Sequence, residues 1–321
     1  KGELGFRGFI VSDWEAIDQI SDDYSEAVER AINAGIDMNM VPGDYHRFID
    51  TLTEAVQSGA VPIERIDDAV RRILTAKFEL GLFERPFGDD GLLPEVGSAE
   101  HRDVARQAVA KSQVLLKNED GLLPFSTELP VLLVGGEPAD DVGIQSGGWT
   151  VAWQGGVGDI TEGTSILDAI RHTVSAGTDV IYERAGRFDD GVPDPAAVCL
   201  AVVGERPYAE GRGDDGEPTI ADNERRLLER MRSRCDRLAV VIVSGRPLVV
   251  TDLVDDWDAL VAAWLPGTEG QGVADVLFGL EPFTGTLPYT WPRSMAQVPV
   301  GQGDDAGDPL FPYGFGLVAS S

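Results

Sequence analysis

Continuous apolar runs alternate with amphipathic segments along the second half of the chain. Five runs are apolar at nearly every position and predict strands at 130–134, 180–183, 197–204, 238–244 and 259–264. The segments between them predict helices at 164–176, 221–235 and 270–278. Strands without alternation are typical of a parallel sheet covered on both faces. The pattern therefore predicts an open, doubly wound α/β domain, in which ligands bind beyond the carboxyl ends of the strands.

The first 80 residues repeat strand and helix over shorter distances. The apolar run Phe9 to Val11 predicts a buried strand that ends on Ser12-Asp13-Trp14. A helix over 24–34 and a short strand over 36–41 follow, as in a βα repeat. Further helices are predicted at 46–58 and 63–80. Since a buried strand needs neighbours and nothing precedes the first one, we expect the chain to be the later part of a larger protein.

Glycine, proline and aspartate are concentrated between these two parts, over residues 85–100. Such a composition is typical of a linker. The predicted organisation is a first region over 1–84, the linker, and a second region over 101–321 that opens with a helix at 101–113.

The charge is far from balanced, with 55 acidic against 26 basic side chains in 321 residues and a net charge of -29. Such a surface repels nucleic acid and anionic membranes, so neither is expected as a partner. The excess of acids fits a protein that stays soluble at high salt, where repulsion between charges is screened. An acidic protein from an ordinary high-GC bacterium is the competing interpretation.

Neither a metal nor an organic cofactor is indicated. The three histidines are scattered, no Cys-x-x-Cys pair is present, and Cys199 lies in an apolar run, where we expect a small core residue. No strand is followed by Gly-x-Gly-x-x-Gly and no P-loop is found, so a nucleotide-binding α/β protein is disfavoured.

Two loops after predicted strands carry the candidate chemistry. The loop 204–216 is rich in glycine and acids, and the segment 146–155 places two tryptophans among glycines. A tryptophan ring offers a stacking face for a pyranose, and glycine lets the backbone approach a ligand closely. The competing interpretations are a solvated acidic turn, and one core plus one surface tryptophan.

Carboxylates in both regions, together with tryptophans, are the groups that glycoside hydrolysis needs. One carboxylate attacks the anomeric carbon and the other protonates the leaving oxygen. This chemistry requires no metal and no activated serine. Asp13, beside Trp14 at a strand end, is the candidate of the first region, since α/β barrels place catalytic groups there.

Six motifs, in this order, resemble the later part of glycoside hydrolase family 3, in particular its β-glucosidase and β-glucan exohydrolase branch. They are Gly8–Trp14, Ala34–Met38, Val114–Asn118, Gly147–Thr150, Gly204–Glu210 and Trp264–Gly272. The resemblance covers essentially the whole chain. It implies the end of a (β/α)8-like barrel over 1–84, followed by an (α/β)6 doubly wound sandwich over 101–321, and secretion or a periplasmic location.

The resemblance also implies roles for individual residues. Asp13 matches the nucleophile, and Glu210 matches the acid/base as the second glutamate of Gly-Glu-x-Pro-Tyr-x-Glu. Glu205 is the competing acid/base and is expected to anchor the loop instead, and Glu217 is the third choice. An aromatic pair that clamps the second sugar is matched by Trp14 and Trp149.

The activity implied is a retaining, exo-acting glycoside hydrolase that releases β-glucose from β-glucosides or β-glucan oligosaccharides. Two departures from the pattern matter. Gln19 stands where the exohydrolase pattern has arginine, and the barrel strands that would precede the nucleophile are expected to lie on a missing N-terminal segment. The alternative is therefore a catalytically inactive, carbohydrate-binding fragment of such an enzyme.

Overall fold

The computed structural model describes residues 1–189, 192, 196–301 and 307–319. It divides into two compact units, Lys1–Leu93 and Pro94–Ser321. The division lies within the segment 85–100 that the composition predicts as a linker. In the described part of the chain, no helix is both long enough and apolar enough to cross a bilayer.

The first unit contains two parallel strands and three α-helices. In chain order they are β1 Val11–Trp14, α1 Tyr24–Ala34, β2 Met38–Met40, α2 Tyr45–Ser58 and α3 Ile63–Glu79. The carboxylate of Asp23 caps α1 by accepting the backbone N–H groups of Ser25 and Glu26. Gly35 ends α1 in the left-handed conformation, with φ of 109°, which glycine adopts without strain. These signals explain why the predicted helix has the observed bounds.

The prediction of a buried strand over Phe9 to Val11 is wrong. Strand β1 begins only at Val11, and the side chains of Ile10 and Val11 are 37% and 42% exposed. Among the residues described, β1 pairs only with β2. A two-stranded sheet covers little of its own surface, so the apolar run stays open although its composition resembles that of a core strand.

The second unit is built around a six-stranded sheet. Its strands are β3 Val114–Asn118, β4 Val131–Gly135, β5 Asp179–Glu183, β6 Ala196–Gly204, β7 Cys235–Val243 and β8 Ala259–Trp264. Their spatial order is β3-β8-β7-β6-β4-β5, and all pairs are parallel except β3 with β8. The predicted doubly wound α/β architecture is confirmed, with an antiparallel edge strand that the apolar pattern did not identify.

Within the described residues, five α-helices accompany this sheet: α4 Ala99–Ser112, α5 Val142–Ser146, α6 Ile166–Thr173, α7 Asp222–Arg234 and α8 Gly270–Leu277. Successive residues of each strand pack against opposite layers. In β6, Leu200 and Val202 belong to the core that includes residues of α6 and α8, whereas Ala201 and Val203 belong to the core that includes residues of α7. Because both faces are covered, the strands read as continuous apolar runs.

A disulfide joins Cys199 in β6 to Cys235, the first residue of β7. Both cysteines are buried, so the prediction of Cys199 as a core residue is confirmed. The pairing itself was not predicted. It depends on β6 and β7 being neighbours in the sheet, and spacing along the chain does not reveal which strands are neighbours.

The order of the strands reverses at β4. The chain passes from β4 to β5 on one side and then to β6 on the other side. The two connections leave a crevice at the carboxyl ends of β4 and β6, the place where open α/β sheets bind ligands.

Candidate active site

In the first unit, Asp13 lies on β1 with an exposed side chain. Its Oδ1 accepts the backbone N–H of Trp14 at 2.6 Å. The preceding residue, Ser12, is buried, and its Oγ accepts the N–H of Met40 at 2.9 Å. Since side chains alternate along a strand, burial of Ser12 directs Asp13 to the opposite face. Trp14, at the strand end, is 64% exposed and available for stacking.

Asp37, within the Ala34–Met38 motif, supports this strand. It accepts the N–H of Ile10 at 2.8 Å and forms ion pairs with Lys1 and Arg65. Burial raises the pKa of Asp37, but the hydrogen bonds from Lys1, Ile10 and Arg65 outweigh burial and leave the pKa below its usual value. Asp37 is therefore a charged structural residue that joins the start of β1 to α3.

In the second unit, Glu210 lies in a turn of the loop after β6. The N–H of Arg212 donates to the carbonyl of Glu210 at 2.9 Å, and the N–H of Gly213 donates to the carbonyl of Ala209 at 2.7 Å. The Glu210 side chain is exposed. Glu217, the third candidate acid, is also exposed, and its own N–H donates to Asp215 at 2.8 Å.

Glu205 is fully engaged at the base of this loop. Its Oε2 accepts hydroxyl hydrogen bonds from Tyr208 at 2.9 Å and Ser244 at 2.6 Å, and its Oε1 accepts two from the Arg246 guanidinium. The guanidinium carbon also lies 4.6 Å from the centre of the Tyr208 ring. Burial, and then the Glu205 charge, raise the pKa of Tyr208. The expected role of Glu205 as the anchor of the loop is confirmed.

The aromatic segment carries two exposed rings rather than one. Trp149 and Trp153 are 68% and 53% exposed, with ring centroids 6.3 Å apart and planes tilted by 52°. The N–H of Trp149 donates to the carbonyl of Trp153 at 2.9 Å. Trp149 and Val151 both have positive φ, at 63° and 62°, a conformation that costs energy in non-glycine residues. The interpretation with one core tryptophan is wrong, and Trp153 is a second exposed stacking surface that the motif match did not include.

Gln154 joins the aromatic segment, residues 146–155, to the loop after β6 that carries Glu210, called the acid loop below. Its Oε1 accepts the N–H of Ala209 at 3.0 Å, and its Nε2 donates to the carbonyl of Glu210 at 3.3 Å. The backbones also touch, because a Cβ at Gly148 would lie 2.0 Å from the carbonyl oxygen of Tyr208. Gln154 was not predicted as a site residue, and its position directly after Trp153 is the one local signal for it in the sequence.

The structure thus places the four predicted site residues in two pairs. Asp13 and Trp14 are consecutive on β1 of the first unit. Trp149 and Glu210 lie on two loops of the second unit that Gln154 connects.

Two family models match the chain. The model described as "Glycosyl hydrolase family 3 N terminal domain" matches residues 1–76, and that described as "Glycosyl hydrolase family 3 C-terminal domain" matches residues 113–319. Among curated proteins, a lysosomal beta glucosidase of Dictyostelium discoideum is 33% identical over 99% of this chain and 42% of its own length. A periplasmic beta-glucosidase of Salmonella typhimurium is 29% identical over 99% of this chain and 49% of its own length. The chain therefore spans a little under half the length of these relatives.

Solved structures resemble the chain over almost its whole length. The Q683A mutant of an exo-1,3/1,4-beta-glucanase from a Pseudoalteromonas species superposes with a TM-score of 0.90 and 38% identity, over 99% of this chain and 53% of that one. A beta-glucosidase from Listeria innocua in complex with glucose gives a TM-score of 0.85 and 26% identity, over 99% of this chain and 47% of that one. The likeness supports the predicted barrel end followed by a sandwich domain.

Proposed function

The chain belongs to glycosyl hydrolase family 3, in its β-glucosidase branch, and from that membership we propose that it supplies both catalytic carboxylates of a retaining, exo-acting glycoside hydrolase. The substrate proposed is a β-glucoside or a β-linked gluco-oligosaccharide, from which the terminal β-glucose is released. The enzyme names of the relatives support this substrate class.

Asp13 is proposed as the nucleophile. An exposed carboxylate on a strand end can approach the anomeric carbon, and the buried Ser12 beneath it keeps the backbone in place. Attack breaks the glycosidic bond and forms a covalent glycosyl–enzyme ester. The exposed ring of Trp14, the last residue of the same strand, offers an apolar face to a sugar.

Glu210 is proposed as the general acid and base. It gives its proton to the leaving oxygen as the bond breaks, and then removes a proton from the water that hydrolyses the ester. The observation that carries this assignment is the contrast between the two glutamates of the loop. Glu205 accepts from Tyr208, Ser244 and Arg246, whereas the Glu210 side chain is exposed beside an aromatic segment.

The test is release of nitrophenol from an aryl β-glucoside by the complete gene product that carries this chain. Asp13→Asn should lower the rate by several orders of magnitude, and Glu210→Gln by about 10²–10⁴-fold. Azide should rescue the Glu210 variant, because a small nucleophile that needs no general base replaces water. Glu217→Gln is the matched control on the same loop and should retain wild-type activity.

Two outcomes would contradict the proposal. If Glu217→Gln is impaired and Glu210→Gln is not, the acid/base is misassigned. If the gene product binds glucosides, as seen by protection of tryptophan fluorescence, but cleaves no β-glycoside, the protein is a carbohydrate-binding module rather than an enzyme.

A further inference from the structure

A cavity opens at the crevice where the strand order of the second unit reverses. It has a volume of about 470 Å³ and is lined by residues that follow β4, β5 and β6 and by the first turns of α7. A second cavity of about 310 Å³ shares four lining residues with it: Glu137, Arg206, Asn223 and Glu224. Volumes of this size accommodate small molecules. Neither cavity is lined by Trp149 or Glu210, so the proposed hydrolysis does not account for them.

Arginines dominate the charge of the larger cavity. Five of them line it: Arg184, Arg187, Arg206, Arg226 and Arg230. The chain as a whole has a net charge of -29, so five guanidinium groups around one crevice make this part of the surface far more basic than the rest. Arginine presents a planar set of donors that matches carboxylate and phosphate oxygens.

Two of the three carboxylates that line this cavity, those of Glu137 and Glu183, already have partners. Glu137 lies between Arg184 and Arg206 and pairs with both. Glu183 accepts the backbone N–H groups of Ala185 and Arg187, which closes the turn after β5. These acids therefore neutralise only part of the arginine charge.

Two guanidinium groups remain available for a ligand. Arg230 donates to the carbonyl of Ala185 at 2.9 Å, but within the residues described here the side chains of Arg187 and Arg226 form no hydrogen bond or ion pair, and both are exposed. They project from two different elements, the turn after β5 and helix α7. Converging cations from separate elements are typical of sites that bind an anion.

Glu224 adds a second observation at the same place. Its Oε1 accepts the N–H of Gly204 at 3.1 Å, whereas its Oε2 is buried with no hydrogen-bond partner among the described residues. Buried polar atoms are normally paired, so a lone one at a cavity marks a position where a bound group can complete the hydrogen bonding.

We propose that this cavity binds a small molecule carrying a phosphate or carboxylate group, with Arg187 and Arg226 as its principal donors. The site is distinct from the proposed hydrolytic residues, and the proposal does not depend on them. A ligand with both anionic and hydroxyl groups would suit it best, because Asn223 lines both cavities beside the arginines.

The experiment is calorimetric titration of the chain with inorganic pyrophosphate and, separately, with citrate, at low ionic strength. We expect saturable 1:1 binding of at least one of them, and a dissociation constant raised at least about tenfold in the Arg187→Ser/Arg226→Ser double variant. Both side chains are exposed, so this variant should keep the unfolding midpoint of the wild type. Preference for pyrophosphate would assign a phosphate ligand, and preference for citrate a carboxylate.

The matched control is Arg71→Ser/Arg85→Ser, which removes two exposed guanidinium groups from the first unit and changes the net charge equally. It should leave the affinity unchanged. Absence of saturable binding for both probes would overturn the proposal, and so would an equal loss in the two double variants, since that would reflect general attraction between charges.

Discussion

At the scale of single residues, the amide of Gln154 is the contact that positions the proposed acid. It bonds the backbone on both sides of the Ala209–Glu210 peptide. We expect Gln154→Ala to lower kcat/KM about tenfold for an alkyl β-glucoside, whose poor leaving group needs protonation, and less than about twofold for a dinitrophenyl β-glucoside. Rates on the two substrates measure this selectivity.

The control for that change is Gln107→Ala, which removes an exposed amide that donates to Asp103 on the same helix, α4. It should leave both rates unaltered. An equal loss on the two substrates by Gln154→Ala would mean that Gln154 supports folding or binding rather than the acid. If neither substrate is cleaved by the wild type, the proposed activity itself fails, so the two failures are distinguishable.

A second prediction at this scale concerns Glu224. Burial raises the pKa of its carboxyl from 4.5 to about 7, with smaller increases from the Glu137 and Glu205 charges, while the Gly204 N–H and Arg206 act in the opposite direction. The folded state thus keeps a proton that the unfolded chain releases near pH 4.5. The contribution of this carboxyl group to the stability of the folded state is fully present below about pH 4.5, and it is lost as the pH rises through about 7.

Substitution of Glu224 by Gln should remove that dependence. The difference between the two pKa values corresponds to about 3 kcal/mol in the free energy of unfolding. Urea unfolding at about pH 5 and about pH 8 should show the wild type losing stability relative to Glu224→Gln. Glu229→Gln, an exposed change on the same helix, should follow the wild type, and parallel pH profiles for all three proteins would refute the assignment.

At the scale of secondary-structure elements, the disulfide between β6 and β7 supports a prediction about stability. It closes a loop with a sequence separation of 36, which in the chain-entropy description contributes about 3–4 kcal/mol. The Cys199→Ala/Cys235→Ala variant should unfold at a lower urea concentration, as followed by circular dichroism. Detection of two free thiols in the denatured, unreduced wild type would contradict the pairing.

Elements whose burial follows from local pattern were well predicted from the sequence. Helix α1 has the predicted bounds because residue types that favour helix ends stand at both of its ends, Asp23 as the N-cap and Gly35 as the C-cap. Strand β7 starts three residues before its prediction because Asp236 and Arg237 are polar at an exposed strand end. Strand β1 was misjudged because burial depends on neighbouring strands, which its own composition does not report.

The residues of the candidate site also divide into those that local sequence predicts and those that only the tertiary structure reveals. Motif order is the basis for predicting Asp13, Trp14, Trp149 and Glu210, and position beside a strand end identified Glu205 as an anchor. Gln154 bonds residues 55 and 56 positions away, and Arg187 and Arg226 line one cavity only because of the sheet topology. Contacts of that range depend on tertiary structure, and no local pattern encodes them.

At the scale of the whole molecule, the net charge of -29 dominates the expected response to solvent. Repulsion among exposed carboxylates destabilises the folded state and is screened by salt. We expect the free energy of unfolding to rise between about 0.01 M and about 1 M sodium chloride, where the screening length falls from about 30 to about 3 Å. Equal stability across this range would refute adaptation to salt and favour the ordinary acidic protein.

The close approach of Gly148 to the Tyr208 carbonyl has a consequence for engineering. A side chain at position 148 would overlap the acid loop, and one at position 155 would come within 2.7 Å of the Pro207 Cβ. A combinatorial library that diversifies this aromatic segment to alter sugar preference must therefore keep both glycines. Exposed positions such as Trp149, Val151 and Trp153 can be varied instead, so such a library needs to cover only a few positions.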